Sequence, residues 1–445
     1  MYDNVLNLID ANKPVFYSKR SCVDLSDPKS NQLLLKMLER LRTEIFPEAV
    51  KTGSFGPDVK KFISFEQSTQ TGTDQFASDV VFGDVILETK RGQLVTEHVT
   101  IKVQPKNEAA HKVFDCDAQF SNEILFYTEI ITLFQKHDTD GVLKKYFPEY
   151  VYGKATKGVN PQDDIIVLKN LNSKGFKLTD ERVFIDKQHI DLAIEGIGKF
   201  HALSYKCLHD DPVGFKKIVS KIGYTHRDHA SEPDTFIHCL LRGINPLKEE
   251  AGYRDRLDDV LKHTEKGGFW REKYMKPSET LNVITHGDFC RNNMMFKYGD
   301  DGQPIDVVFF DLATIKFCSP TIDTSFLLMF NTSPELKRVY WDDFVKLYYD
   351  ALSSQMVGHP AKPTFDEVLL DLRTKGVYGY HLCSFFQPMM LSKKTKEDME
   401  DLDFNDQEAM LRLMLETGGD EATECLAEVV RFMLDKEFIL DKRGF

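Results

Sequence analysis

The sequence predicts an α+β protein with a small antiparallel sheet in its first part and a larger, mainly helical second part. Three observations predict it. Residues 62–105 read as short runs rich in Val, Ile, Phe and Thr, broken by glycine or charged clusters, which is strand texture. From about Asn172 onward apolar residues recur at helical spacings. One polar stretch, "VITHGDFCRNNMMF" (Val283 to Phe296), interrupts the helical part between two short apolar runs.

The 445 residues, 42% of them hydrophobic, are enough for a substantial core and two or three domains of ordinary size. The formal charge is −13, so the overall basic surface that nucleic acids require is missing. No apolar run of membrane-spanning length and no export signal is read. Eight cysteines are scattered without a C-x-x-C pair, which fits reduced thiols in a cytoplasmic protein better than a zinc cluster or a disulfide scaffold. The expected partner is a small molecule, with no obligate protein partner evident.

Taken in order, "FISFEQS", "FASDVVFGDVILET" and "EHVTIKVQP" predict three strands of an antiparallel meander. "DAQFSNEILFYTEIITLFQKH" places Phe120, Ile124, Tyr127 and Ile131 on one helical face. "EYVYGKA" and "IIVLKNL" predict two further strands, and the chain crosses to the helical part near residues 168 to 172. The boundary falls so that 1–168 form an N-terminal part with a helical extension and 169–445 the helical part. "NMMFK" and "IDVVFFD" predict a hairpin, because "YGDDGQP" between them favours reversal.

The polar stretch spells H-x-D-x-x-x-x-N with His286, Asp288 and Asn293, the spacing of a kinase catalytic loop. There the Asp accepts a hydroxyl proton and the Asn holds a metal. Eighteen residues after Asn293, Asp311 ends a second apolar strand, where the same template keeps a metal-binding aspartate. Magnesium takes hard oxygen ligands and keeps several waters, so one carboxylate, one amide oxygen and nucleotide phosphates hold it. Upstream, "HVTIKVQP" sets Lys102 in a β-branched strand, and Glu123 or Glu129 on the next helix could pair with it. Glu123 is preferred, because it lies about a turn before Phe126 and Tyr127, whose side chains should face the sheet. Gly72 and Ser78, in the small-residue loop before that strand, could bring backbone N–H groups to phosphate.

These residues resemble the ecdysteroid kinase-like family, relatives of choline kinase and the aminoglycoside phosphotransferases. The similarity is carried by "IKVQP", "NEILFY", "IVLKNLNSKGFK", "GKFHALSY", "THGDFCRNNMMF", "VVFFDLA" and "SPTIDTSFLLMF", in order from about residue 60 to 335. The resemblance implies a bilobal protein-kinase-like fold and ATP- and Mg2+-dependent phosphorylation of a small-molecule hydroxyl. It implies Asp288 as base, Asn293 and Asp311 as magnesium ligands, Lys102 and Glu123 as the phosphate-aligning pair, and the backbone of Leu168 to Asn170 as the adenine hinge. It tips the acceptor toward an apolar alcohol such as an ecdysteroid, with choline or aminoglycosides as the alternative. The chain departs from the family at Lys169, where an acid is usual, and at Cys290, where tryptophan is usual.

A protein kinase would carry H-R-D and a long activation segment, but Gly287 replaces the arginine and a helix begins soon after Asp311. An iron oxygenase would need His286 and Asp288 with His359 or His381 as third ligand, and would leave Lys102 and Asp311 without a role. A catalytically silent kinase-fold binding protein is the third reading, though base, lysine and metal ligands are all present. The helix "VYGYHLCSFFQPMM" is the expected acceptor lining, with Tyr380 and His381 as polar handles and Phe385, Phe386, Met389 and Met390 as apolar surface.

Overall fold

The computed structural model describes residues 28–71, 78–104, 115–223, 234–265, 267–278, 281–392 and 407–438. Gly72 and Cys22 lie outside them.

Five strands form the first sheet: β1 (Val59–Thr71), β2 (Asp79–Thr89), β3 (Leu94–Val103), β4 (Tyr150–Lys154) and β5 (Ile165–Lys169). Their order is β1-β2-β3-β5-β4, and every pairing is antiparallel. Side chains alternate across a strand, and that alternation sorts this sheet into two faces. Val99, Ile101, Ile165 and Val167 enter a core closed by Leu41 and Ile45, from a π-helical turn over Leu41–Ile45, and by Phe46, from α2 (Phe46–Lys51), which together continue α1 (Pro28–Arg40). Ile166 and Leu168 enter the opposite core. Lys102, one residue on from Ile101, therefore points away from the α1–α2 side.

On that opposite side lies α3 (Cys116–Leu125), extended by a π-helical turn over Phe126–Ile130 and a last turn to Phe134. The single amphipathic helix read from the sequence is thus wound wider in its middle. Phe126 packs against Phe147 and Phe200, with ring centroids 4.9 and 5.9 Å away, which joins the sheet region to the long helix α4 (Lys187–Asp210).

The second part is helical, built around α4, α5 (Asp234–Ile244), α6 (Thr321–Phe330), α7 (Pro334–Ser354), α8 (Phe365–Lys375), α9 (Val377–Leu391) and α10 (Gly419–Asp435). Inserted in it are two ribbons: β7 (Met294–Tyr298) with β8 (Pro304–Phe309), the expected hairpin, and β6 (Val283–Thr285) with β9 (Lys316–Cys318). Together the ribbons pin both ends of the polar stretch. The seven cysteines among the described residues form no disulfide with one another, and no described helix is long and apolar enough to cross a membrane.

Helices α4 and α7 approach closely at Gly198, where an added Cβ would sit 2.6 Å from the Tyr348 carbonyl oxygen and 3.2 Å from Ala351 Cβ. A backbone oxygen cannot swing aside. Gly198→Ala is therefore expected to lower unfolding free energy by about 1–3 kcal/mol in urea titration; a loss below about 0.5 kcal/mol would contradict this packing.

Candidate active site

β3 delivers Lys102 and α3 delivers Glu123, and the two meet with Nζ 2.6 Å from Glu123 Oε2. The same ammonium donates to Asp311 Oδ1 at 2.8 Å, across 209 residues of sequence. Glu129, the competitor for this pairing, instead binds Lys221 at the surface. Lys102 and Glu123 are buried, whereas Asp311 keeps 27% of its side chain exposed. Burial alone would lower the Lys102 pKa, but the carboxylates of Asp311 and Glu123 outweigh it and hold it above the ordinary value. Burial, helped by the nearby Asp311 and opposed by Lys102, pushes the Glu123 carboxyl up to about 6. One ammonium thus faces two carboxylates.

Asp311 leaves β8 with φ +66°, a left-handed conformation that costs a non-glycine residue free energy. The backbone pays this where the side chain must turn back toward Lys102. On the polar stretch, Asn293 Nδ2 donates to both the carbonyl and Oδ2 of Asp288, each at 2.8 Å, leaving Asn293 Oδ1 as the atom a cation could use. Phe310 N–H donates to the Asn293 carbonyl at 3.1 Å, so the Asn293 and Asp311 ends of the hairpin lie side by side. Asp288 is half-buried; burial raises its pKa first, His286 opposes and Asp311 adds.

Sequence reasoning missed what holds this loop. Asp323, on α6, is buried and accepts the His286 N–H at 2.7 Å and the Gly287 N–H at 2.9 Å. It also lies 3.1 Å from His201 Nε2, whose Nδ1 meets the Tyr348 hydroxyl at 2.8 Å. Gly287 has φ +84°, and a Cβ there would lie 2.0 Å from the Thr314 carbonyl oxygen, so only glycine fits between His286 and Asp288. Lys316, also missed, is half-buried with its ammonium on the Thr314 carbonyl at 3.0 Å; desolvation lowers its pKa while the charge of Asp288 works the other way. The available signal for Asp323 was an acid in the first turn of a helix, which ordinarily reads as a cap.

Other expected positions are placed as follows. Ser78 is buried at the start of β2, two residues before Val80, which is directly opposite Lys102. At the hinge, Lys169 N–H donates to Glu149, Asn170 N–H to His98, and the Asn170 carbonyl accepts from Ser173. The Lys169 and Asn170 N–H groups and the Asn170 carbonyl are thus engaged within the fold. The unusual Lys169 pairs with Glu97. Cys290 is buried in the main core, so it changes packing beneath the loop. Tyr380 is buried with its hydroxyl on the Leu240 carbonyl at 2.5 Å, and His381 is buried too; neither is the exposed polar handle expected. Phe385, Met389 and Met390 are half-buried and Phe386 is exposed.

The hard oxygens of Asp311 and Asn293, with Lys102 beside them, fit a magnesium–nucleotide complex in kind. His359 and His381 do not join His286 and Asp288: His359 lies beside Asp210, and His381 is buried in α9.

The model of the ecdysteroid kinase-like family matches residues 72–357. No curated protein gives a sequence match. Among solved structures, the chain is similar to an ethanolamine kinase of Plasmodium vivax at 11% identity, over 94% of this chain and 92% of that one, with a TM-score of 0.41. It is similar also to the aminoglycoside phosphotransferase APH(2'')-Ib with ADP bound, at 15% identity over 87% and 98%, with a TM-score of 0.33. These two overlaps are shallow and add no weight to the site.

Asp323→Ala is expected to lower unfolding free energy by about 3–5 kcal/mol in urea, because it strands one buried and one half-buried amide donor and a buried imidazole. A loss below about 1 kcal/mol would show that Asp323 does not carry the loop.

Proposed function

The chain belongs to the ecdysteroid kinase-like family of small-molecule kinases, and we propose that it transfers the terminal phosphoryl group of ATP to a hydroxyl of an apolar alcohol, with a steroid such as an ecdysteroid as the leading acceptor. The observation that carries the reading is the meeting of Lys102, Glu123 and Asp311 at one buried ammonium, with the hairpin tying Asp311 to the Asp288–Asn293 pair.

Phosphoryl transfer asks the protein mainly for positioning and charge neutralisation. Lys102, anchored by Glu123, presents its charge to nucleotide phosphates. Asn293 and Asp311 would hold magnesium, which when bound neutralises charge on those phosphates. Asp288 accepts the proton of the acceptor hydroxyl, and Asn293 Nδ2 orients its carboxylate. Because burial lifts the Asp288 pKa, protonation removes this base at a higher pH than for an ordinary carboxylate. Turnover should therefore fall on the acid side before ordinary carboxylates titrate. The domain reading follows: residues 1–168 as nucleotide lobe, 169–445 as the lobe of base, metal ligands and acceptor.

The acceptor reading rests on the apolar surface of Phe385, Phe386, Met389 and Met390. It is linked to α6, the helix of Asp323, by Phe326 against Phe386 at 6.5 Å. Apolar walls with few polar groups suit a bulky neutral alcohol. A formal charge of −13 disfavours a polyanion and would also suit a cationic amine.

The test is incubation with ATP·Mg and a panel of ecdysteroids, plant-derived alcohols, choline and aminoglycosides, with phosphate adducts read by mass spectrometry. Adducts on apolar alcohols, and turnover about two to four orders of magnitude lower in Asp288→Asn with ATP binding kept, are expected. Adducts confined to choline or aminoglycosides would overturn the acceptor; undiminished turnover in Asp288→Asn would remove Asp288 as base.

A further inference from the structure

Away from this site, three separate segments bring three histidines to one carboxylate. His137 follows the helical stretch that began with Glu123's helix, His209 and Asp210 close α4, and His359 lies in the loop after α7. Asp210 is the hub. Its Oδ1 lies 2.8 Å from His209 Nδ1 and 3.5 Å from His359 Nε2, and its Oδ2 lies 3.3 Å from His137 Nδ1. The rings of His209 and His359 stand edge to face, centroids 5.2 Å apart. One donor atom each from His209, Asp210 and His359 lies within 4.8 Å of the others.

We propose that His209, Asp210 and His359, with His137 as fourth donor, bind a borderline divalent transition metal ion, Zn2+ being the best fit. Imidazole nitrogens with one carboxylate form a set that suits zinc and is poorly suited to magnesium, which prefers oxygen alone. Bonds of about 2.0–2.1 Å in a tetrahedron put neighbouring donors about 3.4 Å apart. The Asp210 Oδ1–His359 spacing is already near that; His209, at 2.8 Å from the same oxygen, must draw back, and His137, which faces Oδ2 and lies outside the group within 4.8 Å, must turn to complete the set. Each ligating imidazole stays neutral, its one proton resting on the ring nitrogen away from the ion.

Two features oppose binding. Ala361 N–H donates to His359 Nδ1 at 3.2 Å, so ligation through Nε2 moves the ring proton to Nδ1 and gives up that long bond. Lys206 and Lys136 also act electrostatically on His137 and repel a cation. Three imidazoles and a carboxylate outweigh both. Once bound, the ion ties the segment following Glu123's helix to the end of α4 and the loop after α7.

The experiment takes the full chain, stripped of metal by a chelator, with excess Mg2+ present to occupy oxygen-rich sites. Zn2+ is titrated by calorimetry and Co2+ by visible absorption. One Zn2+ per chain with Kd at or below about 10 μM is expected, with a tetrahedral Co2+ band. His359→Gln and His209→Gln should each weaken binding at least about tenfold. Zn2+ should raise the thermal midpoint of the wild type by about 2 °C or more, and that rise should vanish in the double variant. No binding by about 100 μM, or binding unchanged in either single variant, would overturn the site. Because the readout is metal binding in unreacted protein, it stands or falls apart from the kinase reading.

Discussion

A single buried ammonium holds the candidate site together. Lys102 sits where β3, α3 and the end of β8 converge, and its two ion pairs span 21 and 209 residues of sequence. A charge taken out of water is tolerated only with partners in good geometry, and removing one partner leaves the other uncompensated. The sheet and the hairpin are thereby held in one relation. Two carboxylates on one ammonium also leave negative charge beside Asp311, the group with an exposed face, which is where a cation gains most.

The other half of the site is held from behind. Asp323 grips the amides of His286 and Gly287, His201 and Tyr348 extend the chain of polar contacts, and Asn331 accepts the Arg291 N–H at 2.9 Å. Each end of the polar stretch is in addition fixed by a two-stranded ribbon. The result is a loop whose backbone has little freedom while Asp288 keeps part of its surface open. Such a division suits a base that must meet a substrate without moving its support.

Much of this was legible in the sequence where short-range patterns govern. β-branched alternation marked β2 and β3, and the turn chemistry of "YGDDGQP" marked the β7–β8 hairpin. Glu123 over Glu129 followed from which helix face is apolar. Long-range contacts were not legible. Asp323 looked like a cap because nothing local says that its oxygens meet amides 36 and 37 residues earlier. Tyr380 looked like a pocket handle because its partner is a carbonyl 140 residues away. The π-turn at Phe126–Ile130 and the engaged N–H groups of Lys169 and Asn170 depend on neighbours no window contains.

The central claim is that Lys102, held by Glu123 and Asp311, recognises phosphate and does little for adenine. Calorimetric affinities of ATP·Mg and of adenosine, in wild type and Lys102→Met, test it directly. The account predicts that the ratio of the two affinities collapses by at least about tenfold in the variant while adenosine binding barely changes. An unchanged ratio would contradict it.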